Sequence, residues 1–384
     1  MDNKQMLMIP GPTPVPEKVL LAMAKHPIGH RSGEFSKIIG ELTENLKWLH
    51  QTQNDVLMLT ASGTGAMEAG IINFLSPGDR VLVGNNGKFG DRWAKVSKAY
   101  GLTVEEIKAE WGKALDPEEF RAKLAADSDK SIKAVIVTHS ETSTGVLNDL
   151  AAINTAVKEH GEALIIVDAV TSLGAVSLPV DEWGLDVVGS GSQKGYMIPP
   201  GLAFVSVSAK AWKAYESAKM PRFYLDLKKY KKATDENSSP FTPPVNLMYG
   251  LQASLQMMQA EGLDNIFARH QRHTQATRAA MKAMNLPLFA PDEAASPAIT
   301  AVAPVTVDAE KIRGAMRKQF DIALAGGQDH LKGKIFRIGH LGFVCDRDIL
   351  SCAGALESVL LGLGNSDATP GAGIAAAAQV FAGK

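Results

Sequence analysis

The sequence predicts an α/β fold, with a large domain on a mostly parallel central sheet and a smaller C-terminal α+β domain. Short apolar runs rich in β-branched residues recur, among them Val81-Leu82-Val83, Ala134 to Val137 and Leu164 to Val167. Such runs read as strands buried on both faces. Between them lie stretches with a helical period, as in Phe35, Ile38, Ile39, Leu42, Leu46 and Leu49. A chain of 384 residues with 45% hydrophobic content is long enough for one large and one small core.

The order of elements gives provisional boundaries. Residues 1–16 form an extended arm, because LMIPGPTPVP holds four prolines and a glycine. Its apolar residues imply docking, either on a partner subunit or across a site. Residues 17–262 make the large domain, 263–363 the small domain, with a last helix from Asp346 to Leu363, and 364–384 a small-residue-rich tail.

Composition narrows the function classes. Forty basic and forty-one acidic side chains give a formal charge of −1, so no electrostatic feature points to nucleic acid or an anionic membrane. Cys345 and Cys352 are the two cysteines, too few for a disulfide framework or a four-thiolate metal site. The expected partners are small molecules or other copies of the chain, in the cytoplasm.

The chemistry concentrates where strands end. Leu164 to Val167 stops at the carboxylate Asp168, and a second strand near Asp186 to Val188 runs into Gly189-Ser190-Gly191-Ser192-Gln193-Lys194. An acid and a lysine past the strand ends of an α/β sheet lie at its ligand-binding edge. Their combination points to pyridoxal phosphate, which needs an amine for its aldehyde and an acid for its ring nitrogen. Each alone has a plain alternative, a solvated lysine or a capping aspartate.

Other loops supply candidates. Small residues from Thr60 to Gly65 precede a helix, so main-chain N–H groups with the Ser62 and Thr64 hydroxyls form a phosphate cradle or a simple capping turn. The loop after Val83 carries Phe89, able to stack on a flat heterocycle or to pack in the core. Thr138 to Gly145 is rich in hydroxyls, and Asn237 to Val245 adds Thr242 as another. Arg337, inside the apolar stretch Ile335 to Ile338, reads as a clamp for an amino-acid carboxylate or as half of a structural ion pair.

Together the segments PGPTPVP, ASGTGAMEA, NGKFGDRW, THSETSTGV, VDAVTSLGA, SGSQKG, FTPPV and FRIGHLG resemble class V aminotransferases of the alanine/serine:glyoxylate type, from the arm to about Leu363. The resemblance implies the type I fold of pyridoxal-phosphate enzymes and a homodimer with shared sites. It places Lys194 on the cofactor aldehyde, Asp168 on the pyridine nitrogen, and Ser62, Gly63, Thr64 and Gln193 at the phosphate. Thr242 would reach the same phosphate from the other subunit, Phe89 would stack on the ring, Thr142 would stand near the cofactor, and Arg337 would hold the substrate carboxylate. The implied reaction moves the amino group of L-alanine or L-serine to glyoxylate. Other donor and acceptor pairs (serine:pyruvate, aspartate, ureidoglycine, aminophosphonate), a desulfurase using Cys345, and a non-enzymatic subunit are the alternatives.

Overall fold

The computed structural model describes residues 5–364 and 369–383. A seven-stranded sheet runs through the large domain, in the order Asp55–Leu59, Ala203–Val207, Val187–Gly191, Leu164–Asp168, Ile132–Thr138, Arg80–Asn85, Thr103–Lys108. Only Ala203–Val207 runs against the others, pairing antiparallel with both neighbours. The mostly parallel sheet expected from the sequence is present.

Alternation along each strand feeds two cores. Ile165 and Val167 join Val135, Val137 and Phe204 on one face, where the helix Gly33–His50 contributes Phe35, Leu42 and Leu46. Leu164 and Ile166 join Ala134, Ile136 and Val205 on the other, against Ala66 and Ile71 of the helix Gly63–Ile72. A period of two on strands covered from both sides explains why those runs carry no polar residue.

Register fixes the functional edge. Asp168 pairs with Thr138 on one side and with Gly189 on the other, so two strands end level and the third, Val187–Gly191, runs two residues further. The loops that follow open at one place.

A second, four-stranded sheet has the order Met6–Met8, Ile322–Gly326, Phe336–Gly339, Ile299–Val302. The arm therefore contributes a strand, parallel to Ile322–Leu324 of the same chain. Its core gathers Met8 with Met281, Met316, Phe336 and Leu356. Gly339 lies directly under the arm: a Cβ there would come 2.2 Å from the Ile9 carbonyl.

One expectation is corrected. The helix after Cys345 spans Asp346–Gly362 but is not the last, because Ala372–Phe381 forms another. It is built largely of alanine, the best helix former, and buries Ala377 in the small-domain core. No helix among the described residues is long and apolar enough to cross a membrane.

Phe204 is fully buried and stacks on Tyr196 with ring centroids 4.3 Å apart. Phe204→Ala is expected to cost about 3–5 kcal/mol of stability in denaturant unfolding, the range for a buried phenylalanine whose site cannot collapse.

Candidate active site

The strand Leu164–Asp168 carries Asp168 into a cavity of about 300 Å³ at the sheet edge, and the loop after Val187–Gly191 carries Lys194 into the same space. Ser62, Gly63, Thr64, Phe89 and Gln193 also line it, so seven of the ten predicted residues converge. Both central charges are buried.

Burial acts on them in opposite directions. It raises the Asp168 carboxyl from 3.8 to about 6, against the Val170 main-chain N–H, which donates to it at 2.9 Å, and the positive fields of Arg92 and Lys194. It lowers the Lys194 amine from 10.5 to about 8, assisted by Arg337 and Arg92 and opposed by Asp168. A lysine so placed supplies free amine at mildly alkaline pH.

An anion cradle lies at the start of the helix Gly63–Ile72. Ser62 is its N-cap, yet its hydroxyl makes no capping bond and stays exposed. Gly63 cannot carry a side chain without meeting Val170, 2.8 Å from where a Cβ would stand. Gln193 presents a buried Oε1 with no partner among the described residues. Main-chain N–H groups at a helix start, two hydroxyls and an amide fit a phosphate ester.

Phe89 opens the helix Lys88–Ala99, and its placement depends on Glu141. The fully buried Glu141 carboxylate accepts from the main-chain N–H of Phe89 at 3.0 Å, of Gly90 at 3.1 Å and of Ser143 at 3.1 Å. A carboxylate thus caps the helix start in place of solvent. Gly87 is required there, since a Cβ would lie 2.3 Å from the Glu141 side chain.

Arg337 is held by main chain. Its Nε and Nη2 donate to the Gly326 carbonyl at 3.0 and 2.7 Å, and Nη1 to the Thr142 carbonyl at 2.9 Å. No carboxylate pairs with it among the described residues, so the structural ion pair is not what buries it. Burial lowers its pKa to about 10, while nearby Glu141 acts the other way. Three of its five N–H groups are engaged, leaving one on each terminal nitrogen for a carboxylate.

Arg337, Thr142 and Thr242 do not line the cavity itself. Thr142 shares its hydroxyl with Thr171 at 2.6 Å and reaches the site through its carbonyl on Arg337. Thr242 is exposed on the surface of its own chain.

Two contributors escaped the sequence reading. Arg92 lines the cavity, its guanidinium 4.8 Å from the Phe89 ring centroid and 3.4 Å from the Thr64 hydroxyl. The i, i+3 spacing from Phe89 was the available signal. Glu141 was visible only as one polar residue of a polar loop. The arm, expected to dock on a partner subunit or across a site, takes the second course and reaches Lys194 through Pro10. Cys345 is exposed and lines a different cavity, with Arg269 and Phe343.

The family model for class-V aminotransferases matches residues 6–339. The chain belongs to the class V aminotransferases. A protein of Anabaena cylindrica named soluble hydrogenase 42 kDa subunit is 71% identical over 99% of this chain and 100% of its own length. The L-aspartate–glyoxylate aminotransferase of Paracoccus denitrificans is 40% identical, over 99% of this chain and 97% of its own. Among solved structures, the ureidoglycine-glyoxylate aminotransferase of Bacillus subtilis superposes with a TM-score of 0.94 at 31% identity, over 100% of this chain and 99% of its own. The alanine–glyoxylate aminotransferase of a Nostoc species gives 0.89 at 33%, over 94% and 96%. The fold is the type I fold of pyridoxal-phosphate aminotransferases, and pyridoxal phosphate is the cofactor.

In a class V aminotransferase prepared without cofactor, Asp168 makes a signed prediction. Its folded pKa lies above the unfolded value, so between pH 4 and 6 the native state binds more protons than the unfolded one and stability falls as pH rises. The loss is on the order of 3 kcal/mol across that window. The difference in unfolding free energy between wild type and Asp168→Asn, followed from pH 4 to 7, should show it, and a pH-independent difference would refute it.

Proposed function

We propose that this chain transfers the amino group of L-alanine or L-serine to glyoxylate, giving glycine and a 2-keto acid. The observation that carries this reading is Arg337, a buried guanidinium fixed by carbonyls with two N–H groups to spare, beside a cavity that holds Lys194 and Asp168. An α-carboxylate, present on donor and acceptor alike, is the group such a fork fits.

The pyridine ring of the cofactor supplies the electron sink when bound. Asp168 would face its ring nitrogen, where the buried carboxylate would favour the protonated form. Ser62, Gly63, Thr64 and Gln193 would take the phosphate, completed by Thr242 of a second subunit in a homodimer. Phe89, fixed by Glu141, would stack on the ring, with Thr142 close by. The Lys194 amine takes the proton from the donor Cα, a task suited to a base with a pKa near 8. Arg337 orients that Cα by holding the adjacent carboxylate.

L-aspartate as donor is a second reading, favoured by Arg92. Among the described residues this guanidinium has no carboxylate partner, and it lines the cavity where a distal carboxylate could reach. The Paracoccus denitrificans relative carries that donor in its name. The subunit name of the Anabaena cylindrica relative points instead to a role within an assembly. Against it stands the complete set of Lys194, Asp168 and Arg337, which needs no partner of another kind.

The test is the absorption spectrum of the cofactor-loaded protein as L-alanine, L-serine or L-aspartate is added, followed by glyoxylate. Conversion by alanine or serine, reversal by glyoxylate and silence of Lys194→Ala is the expected outcome. Conversion by aspartate alone, lost at least tenfold in Arg92→Gln, selects the second reading. No conversion by any amino acid would favour the subunit role.

A further inference from the structure

The N-terminal arm holds Lys194 at two points, its side-chain amine and its main-chain carbonyl. Its Nζ donates to the Pro10 carbonyl at 2.5 Å. Its own carbonyl accepts from the Thr13 hydroxyl at 3.0 Å, and the Thr13 main-chain N–H donates to the Gln193 carbonyl at 3.0 Å. Between these contacts stands Gly11, with φ +136°, a conformation that favours glycine. A Cβ there would lie 2.7–2.8 Å from Cδ, Cε and Nζ of Lys194, so the lysine side chain runs where a side chain at position 11 would be.

The arm is fixed from the other side as well. Met6–Met8 is a strand of the small sheet, and Ile9 presses on Gly339, two residues beyond Arg337 in the same strand. Gly342 completes the enclosure, 3.2 Å from the Lys194 carbonyl and the Thr13 hydroxyl measured from its would-be Cβ. Residues 9–13 thus pass between the lysine and the strand that carries Arg337.

We propose that the Pro10 carbonyl is the seat of the Lys194 amine whenever that amine is not joined to the cofactor, with Gly11 and Thr13 as positioning residues that keep the seat in place. The inference rests on the reading of Lys194 as the reacting lysine. A carbonyl only accepts, so it engages one N–H and leaves the lone pair of the neutral amine free to take a proton. It favours the ammonium form over the amine, because a hydrogen bond from a charged donor is the stronger one. The charged groups around Lys194 are Asp168, Arg337 and Arg92, and the arm adds a neutral acceptor to that set.

The test uses the cofactor-free protein and trace labelling of lysines with acetic anhydride, read for Lys194 by peptide mass spectrometry from pH 6 to 11. In Gly11→Ala the new methyl displaces the amine from Pro10, and the labelling midpoint of Lys194 should fall by about half a pH unit or more while exposed lysines keep theirs. Thr13→Val adds no bulk and removes only the bond to the Lys194 carbonyl; it should move the midpoint the same way by less, and carries the test alone if Gly11→Ala does not fold. A midpoint unchanged or raised in a folded variant overturns the arm's role. Silence of Lys194→Ala towards amino donors is a separate result: with it in hand and the midpoints unmoved, the lysine keeps its role and the arm loses the one proposed.

Discussion

Burying a lysine and an aspartate around one cavity is the constraint on which the rest of this structure depends. Desolvation raises the acid and lowers the amine, and each moves towards the range where it can exchange protons near neutral pH. Their separation is kept by different strands of one sheet: register sets Asp168 level with Thr138 and Gly189, and the loop after Gly191 brings Lys194 back to the same edge. Two sealed cores hold that sheet rigid, one on each face.

Around this cavity, the buried charges of Glu141, Arg337 and Lys194 are met by main chain rather than by opposite charge. Glu141 accepts three main-chain N–H groups, Arg337 donates to two carbonyls, and Lys194 to one. That choice leaves formal charges available to a ligand, whereas a closed ion pair would consume them. It also ties three segments far apart in sequence, the arm, the loop after Thr138 and the strand Phe336–Gly339, to one small volume.

Much of the site was legible in the sequence because its signals are local. A β-branched run ending in Asp168, and a glycine and serine loop ending in Lys194, announce themselves within a few residues. Small residues before a helix did the same for Ser62 to Thr64. What stayed hidden is non-local. Met6–Met8 is too short to show a period, and it pairs with residues more than three hundred positions away. Glu141 acts through main-chain N–H groups that belong to no sequence pattern, and Arg92 is one of forty basic residues until the helix start orients it. The final helix was missed, because its signal is the propensity of its alanines rather than a hydrophobic period.

The central claim is that Lys194 is the residue that joins the cofactor. Borohydride reduction of the protein loaded with pyridoxal phosphate, followed by digestion and mass spectrometry, tests it most directly. The account predicts one irreversible cofactor adduct per chain, on the peptide containing Lys194. An adduct confined to another lysine, or none after saturation with cofactor, would contradict it.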